Sequence, residues 1–318
     1  MKTNRCLYCY QPLSATEVDF HSSCSKLIFG TEKPPELPFK EEQLKDLAQK
    51  AINSHKGVTG VQPKLSLSLS GDKNSGENRL TIVGALSGEY ILKPHMDKFP
   101  TLPLVEDLTM HLARIFGIAT VPHCLVRMKS GNLAYITRRI DRKDGGKIPM
   151  EDMCQLSERL TEDKYKGSYE QIARIIYKFS DTPGLDIINF FEQVLFCFIT
   201  GNADMHLKNF SMIDNASHGG NVLSPGYDMV STALVMPEDD EDLALTLNAR
   251  KKKIKRKDFE AAFKTARLNP NQISNLFKKA IQFVGKAEDF IDISFLHAGD
   301  KEAYKEIIRE RIQRIQGE

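Results

Sequence analysis

No run of about 18 apolar residues occurs in the chain, so no transmembrane helix and no membrane partner are expected. A secretory leader is missing too, because Met1-Lys2-Thr3-Asn4-Arg5 leads straight into cysteines instead of an apolar segment. Neither sign of charge is in excess. The formal net charge is +2, which gives no global argument for direct nucleic-acid binding. Six cysteines in 318 residues, three of them near the start, are too few to read as a disulfide framework. Reduced thiols and a cytoplasmic protein are the expectation. Internal repeats, low-complexity segments and an H-E-x-x-H zinc-protease pattern are all lacking. What is there is ordinary for a globular protein: 41% apolar and 27% charged residues, in a length that suits two domains.

Three segments emerge along the chain. Residues 1–30 hold Cys6-x2-Cys9 and, eleven residues on, His21-x2-Cys24. Two close pairs of soft ligands suit one tetrahedral zinc, with Gln11-Pro12 as a knuckle turn; reduced, partly buried thiols are the alternative. Residues 31–140 form the second segment. Pro34, Pro35 and Pro38 among charges read as a linker, followed by a helix at about 41–52. The strict alternation over residues 64–70 predicts a half-buried strand, and residues 79–83, 89–93, 124–128 and 133–140 read as further strands around an amphipathic helix over 104–116. Strands, one helix, then strands suit a small antiparallel α+β lobe. From residue 141 onward helices dominate, predicted over 169–179, 187–200, 256–266, 271–287 and 301–315, with loops and short strands between 201 and 247.

The residues that carry chemistry cluster after the apolar helix that ends near Ile199. Gly201-Asn202-Ala203-Asp204-Met205-His206-Leu207-Lys208-Asn209 packs a carboxylate, amides, an imidazole and a lysine into one loop, and Asp228 follows nineteen residues past Asn209. Phosphoryl transfer needs a carboxylate to take the proton of the attacking hydroxyl, and an Asn and an Asp to hold magnesium against the phosphates. Asp204 and Asn209 have the spacing of the base and the magnesium Asn in protein kinases. Asp204 is the expected general base, with Asn209 and Asp228 the magnesium ligands. Lys208 either touches the γ phosphate or is a solvated neighbour, and His206 shapes the loop beside the nucleotide. Gly57-Val58-Thr59-Gly60-Val61-Gln62, followed by Pro63 and Lys64, is a loop whose backbone N–H groups can cradle phosphates, although it matches neither the P-loop nor the kinase glycine spacing. Lys93 ends an apolar strand and reads as a phosphate ligand or as a strand-end lysine in water. Glu106 is a candidate partner for Lys93, with Asp107 competing. The basic run over residues 251–257 follows the acidic run over 238–242; the two offset each other and read as a solvated surface.

Together these motifs resemble the HipA family of serine/threonine kinases, the toxin half of bacterial toxin–antitoxin operons. The resemblance rests on Gly60-x-Gln62-x-Lys64, Lys93, Arg139-Ile140-Asp141-Arg142, Glu151-Asp152-Met153-Cys154-Gln155, the 201–209 loop, and Ser224-Pro225-x-Tyr227-Asp228-Met229-Val230-Ser231. It implies a two-lobed kinase fold with ATP bound between lobes. Lys93 would sit on the ATP phosphates, the loop over residues 57–62 would bind phosphate, and the hinge would lie at Ile136, Thr137 and Arg138. It also implies ATP and magnesium as cofactors, a protein substrate such as an aminoacyl-tRNA synthetase, and a HipB-like DNA-binding antitoxin. The short Cys/His start is closer to the shorter HipT form, in which a small HipS-like protein supplies the missing N-terminal piece. Gly57 stands where HipA carries its autophosphorylated serine, which leaves Ser54 and Thr59 as candidates for self-modification. The expected function is an ATP- and magnesium-dependent serine/threonine kinase toxin. A small-molecule kinase and a non-catalytic module that docks an antitoxin are the rivals.

Overall fold

The computed structural model describes residues 4–44, 64–72, 77–84, 87–143, 145–215 and 220–316. The chain divides into two compact units, one of residues 1–107 and 121–140, the other of residues 108–120 and 141–318.

The first unit is built on five strands: β1 (Leu65–Asp72), β2 (Glu77–Ile82), β3 (Tyr90–Lys93), β4 (His123–Arg127) and β5 (Leu133–Arg138). Their order is β2-β1-β3-β5-β4, and every neighbouring pair is antiparallel. The alternation seen in the sequence is real in β1, where Leu65 and Leu67 are buried and the serines between and after them are not. β4 and β5 do not alternate; Cys124, Leu125, Val126, Ala134, Tyr135 and Ile136 are all buried, so both faces of these strands are covered.

The Pro-rich segment is not a free linker. Glu36 bridges to Arg79 in β2, while Leu37 bridges to Met128 just past β4 and is itself buried. β2 and β4 are the two edges of the sheet, so the sheet curls until one dipeptide reaches both of them, which covers edges that would otherwise be open. The helix foreseen at 41–52 is described only over residues 41–44, and its remainder lies outside the described residues. Before the sheet, helix α1 (Ser22–Phe29) stops at Gly30, whose φ of +76° places it in the left-handed region and lets its N–H reach the Lys26 carbonyl.

Helix α2 (Leu102–Phe116) joins β3 to β4. Its first turns belong to the first unit and the remainder to the second.

The second unit begins with the hairpin β6 (Arg142–Lys143) and β7 (Gly146–Lys147), both missed by the periodicity because two-residue strands carry none. A three-stranded sheet follows, ordered β10-β9-β8 from β8 (Met150–Asp152), β9 (Ser211–Asn215) and β10 (Gly220–Leu223). The helices are α3 (Met153–Leu156), α4 (Tyr169–Phe179), α5 (Pro183–Ile199), α6 (Thr232–Val235), α7 (Arg256–Thr265), α8 (Pro270–Asp292) and α9 (Ala298–Gln316). α5 starts earlier than its apolar pattern suggests because Pro183 occupies the first turn, where a missing N–H costs nothing. α5 is apolar nearly all round, as a core helix must be, and Phe190, Phe191, Val194 and the run over 195–199 are buried. Its rings meet neighbours edge-on or tilted: Phe190 with Phe210 at 5.1 Å, Phe191 with Phe263 at 5.0 Å and Phe198 with Phe259 at 5.3 Å between centroids. Among the described residues no helix is long and apolar enough to cross a membrane.

Candidate active site

The loop after α5 is fixed almost atom by atom. Gly201 turns the chain with φ +65°, and a Cβ there would lie 2.7 Å from the Ala233 Cβ and 3.0 Å from Ile307 Cγ2, so only glycine fits without movement. The Gly201 carbonyl accepts from the Ala233 N–H at 2.9 Å and from the Thr232 hydroxyl at 3.1 Å; that hydroxyl accepts from the Ala203 N–H at 2.8 Å. Buried Asn202 accepts the Asp204 N–H at 3.0 Å, and the Met205 carbonyl accepts from the Tyr169 hydroxyl at 3.1 Å. The Leu207 N–H donates to the Lys164 carbonyl at 3.1 Å.

On this frame Asp204 and Asn209 are joined directly. Asn209 Nδ2 donates to the Asp204 backbone carbonyl at 2.9 Å, so its amide oxygen is the atom that could ligate a hard cation. Asp228 adopts φ +55°, in the left-handed region that Asp tolerates better than most residues. The residue before it holds it to the loop: the Tyr227 hydroxyl donates to the Lys208 carbonyl at 3.1 Å and lies 2.5 Å from Ser211 Oγ. Burial pushes the Tyr227 phenol well above its usual pKa, so it stays neutral in this role. Lys208 is ion-paired, its Nζ 3.1 Å from Asp152 Oδ2. Asp152 meanwhile caps α3 by accepting the Gln155 N–H at 2.9 Å. His206 is largely buried and packs edge-on against Tyr165, 4.9 Å between ring centroids.

Tyr165 was missed by sequence reasoning. Its hydroxyl donates to Asp204 Oδ1 at 2.5 Å, and burial together with that carboxylate pushes its pKa well up. Thirty-nine residues separate the two, and no local pattern could have linked them.

In the first unit Lys93 does not end in water. It is buried and ion-paired with Glu106, which is buried as well, and its ammonium lies 5.5 Å from the centroid of the Tyr135 ring, the residue opposite it in β5. Asp107, the other candidate, binds the Tyr10 hydroxyl and His123 Nδ1, one on each oxygen, each at 2.7 Å. Ile136, Thr137 and Arg138 are the last residues of β5, paired with Leu92, Ile91 and Tyr90; the Thr137 hydroxyl donates to the Pro122 carbonyl at 3.1 Å. Lys64 is exposed just before β1. Gly57, Val58, Thr59, Gly60, Val61, Gln62 and Ser54 lie outside the described residues.

Cys6, Cys9, His21 and Cys24 converge, their ligand atoms all within 4.8 Å of one another. Burial opposes ionisation of Cys6, but nearby backbone N–H groups outweigh it and hold that thiol below its usual pKa. Burial and the charge of Cys6 push Cys24 up to about 12.

Residues 57–288 match the model of the HipA-like C-terminal domain. A Haemophilus influenzae protein named "Putative kinase" is 28% identical over 329 residues, covering 92% of this chain and 92% of its own length. The serine/threonine-protein kinase toxin HipA of Shewanella oneidensis is 28% identical over 216 residues, 60% of this chain; the match spans only 46% of the toxin. Among solved structures, the Shewanella oneidensis HipA crystallised with HipB and operator DNA superposes with a TM-score of 0.70 at 23% identity, over 88% of this chain and 71% of that one, and so shares its fold. The chain belongs to the family of the HipA-like C-terminal domain.

Proposed function

We propose that the protein is an ATP- and magnesium-dependent serine/threonine kinase that acts as the toxin of a bacterial toxin–antitoxin pair. The observation that carries this reading is the direct tie between Asp204 and Asn209, with Tyr227 pinning the segment of Asp228 to the same loop. Bound magnesium-ATP supplies the transferable phosphoryl group and the charge neutralisation it needs. Asn209 and Asp228 would hold the metal through an amide and a carboxylate oxygen, a donor set that suits magnesium. Asp204 orients the substrate hydroxyl and takes its proton late. A carboxylate is too weak a base to act earlier. Tyr165 keeps the Asp204 carboxylate in one rotamer until a substrate hydroxyl replaces it. Lys93 would meet the nucleotide phosphates, held extended by Glu106 and kept charged by it.

The relatives' names support a toxin kinase, and the HipA crystallised with HipB supports a HipB-like antitoxin as partner. A protein substrate such as an aminoacyl-tRNA synthetase and a small HipS-like protein complete the proposal, on the resemblance of the sequence motifs. Ser54 and Thr59 are the candidates for self-phosphorylation. The test is incubation of purified protein with labelled ATP, magnesium and a cell lysate. Labelling of the chain itself or of a discrete protein band is expected, and Asp204→Asn should lower the rate about 10²–10⁴-fold. Equal labelling by Asp204→Asn removes the base assignment, and label found only in small metabolites removes the protein substrate.

A further inference from the structure

We propose that Cys6, Cys9, His21 and Cys24 bind one zinc ion, and that the knuckle so formed anchors, through Tyr10 and Asp107, the start of the helix that carries Glu106.

The donor set and its spacing carry the first half. His21 Nδ1 lies 3.4 Å from Cys9 Sγ and 3.6 Å from Cys24 Sγ. Zinc bonds of about 2.0–2.3 Å at tetrahedral angles put neighbouring ligand atoms about 3.5–3.8 Å apart, close to the two His21–sulfur separations. These cysteines are free and form no disulfide. The other ring nitrogen of His21 sits 3.0 Å from the Pro12 carbonyl. That carbonyl can accept only an N–H, so the tautomer is set and the Nδ1 lone pair faces the three sulfurs, the outer-shell arrangement of zinc histidines. Two local structures hold the donors. Cys6 and Cys9 flank a tight turn, in which the Tyr10 N–H donates to the Cys6 carbonyl at 2.9 Å and Tyr10 takes φ +65°. His21 is the residue just before α1, and Cys24 sits on its first turn. Three thiolates and an imidazole are soft donors and select zinc over the harder magnesium.

The second half follows from what the turn holds. Tyr10, next to Cys9, is fully buried and donates to Asp107 at 2.7 Å; Asp107 also takes His123 of β4 and is the neighbour of Glu106 in α2. On the other side of the turn, the Leu7 carbonyl accepts the Leu125 N–H of β4 at 3.1 Å, and Asp19 accepts a forked pair from Arg127 at 2.7–3.1 Å. A segment of about two dozen residues with one short helix cannot hold such a shape by its own core, and a metal supplies the missing constraint. The importance given to Glu106 rests on the proposed kinase function; the metal site does not.

The experiment is metal analysis of the full-length chain expressed in zinc-replete medium. One zinc per chain is expected, falling to trace in His21→Ala and in Cys6→Ser/Cys9→Ser, and retained in His21→Cys, which keeps four soft donors. Cobalt(II) in place of zinc should give thiolate charge-transfer bands and the intense visible bands of a tetrahedral site. If the cysteine variants do not fold, chelator titration of the wild type serves instead, and removal of zinc should lower its unfolding temperature. Trace zinc in the wild type, bound iron in its place, or zinc unchanged in the double variant overturns the site. Tyr10→Phe tests the anchor: zinc is retained, but amide exchange over residues 104–107 should accelerate. Unchanged exchange there overturns the anchor while leaving the zinc site standing. Zinc present in a chain without phosphotransfer activity overturns the kinase reading alone.

Discussion

Replacing Glu106 by Gln keeps the shape of the side chain and removes its charge, leaving the Lys93 ammonium buried beside a neutral amide. Lys93 is only 4% exposed and Glu106 1%, so water cannot take over the lost partner. Removing one member of such a pair costs about 3–5 kcal/mol, most of it the penalty of a buried charge that has lost this carboxylate. The Tyr135 ring at 5.5 Å offsets a fraction, on the order of 1 kcal/mol, which puts the expected loss nearer about 3 kcal/mol. For a unit of this size that is a fall of about 10 °C in unfolding temperature. The double variant Lys93→Met/Glu106→Gln removes the charge as well and should recover much of the stability, because a pair replaced by neutral groups is often close to neutral overall. The assay is thermal and urea unfolding of wild type, both single variants and the double, combined as a double-mutant cycle. Activity reads the other side: on the proposed function, all three variants should lose most phosphotransfer, the double included. Should Glu106→Gln unfold within about 0.5 kcal/mol of wild type, the pair is not desolvated as described, and the argument for Lys93 as a pre-positioned phosphate ligand goes with it.

Tyr165→Phe should lower kcat by up to about tenfold, about 1.4 kcal/mol, with little change in KM for ATP or in unfolding temperature, since the side chain is exposed and the ring is kept while Asp204 loses its donor; steady-state kinetics and a melting curve check it, and a rise in kcat would show that the hydroxyl blocks the base rather than holding it. Gly201→Ala should cost about 2–4 kcal/mol from the left-handed φ and the collision with Ala233 and Ile307, with partial rescue by Ala233→Gly, both read by urea unfolding.

The features legible in the sequence were local ones. Tyr169–Phe179 was readable to the residue because its apolar spacing is bounded by a Ser168 capping box. β1 was readable because its serines and leucines alternate. The end of α8 was not, since Ile291 is buried four residues beyond the last residue the pattern reached. The 201–209 loop stood out because a dense set of polar groups follows directly on the apolar end of a helix, Val194 to Ile199. Lys93 and Glu106 are thirteen residues apart, close enough to be guessed as partners, whereas Tyr10 and Asp107 are separated by 97 positions and joined only by the folded sheet. Glu36 and Leu37 were misjudged for the same reason: proline-rich composition describes a segment's stiffness and says nothing of the edges it will dock against. The lysines of the basic run past residue 250 lie at the surface or half-buried, with Lys251 and Lys252 each beside an acid of the upstream run, Glu241 and Asp240, but Ile254 and Asp242 are buried, and Asp242 pairs instead with Arg311 and Arg314.

The strand order of the first unit has a consequence for the chain's own birth. β3 lies between β1 and β5, yet β5 is translated some forty residues later, after a whole helix. A growing polypeptide halted anywhere before Leu133 therefore carries the segment Tyr90–Lys93 with one flank bare, its amides and carbonyls open to any passing strand. Slow codons or a pause in that window should favour clumping over maturation, and the danger ends when Arg138 clears the ribosome.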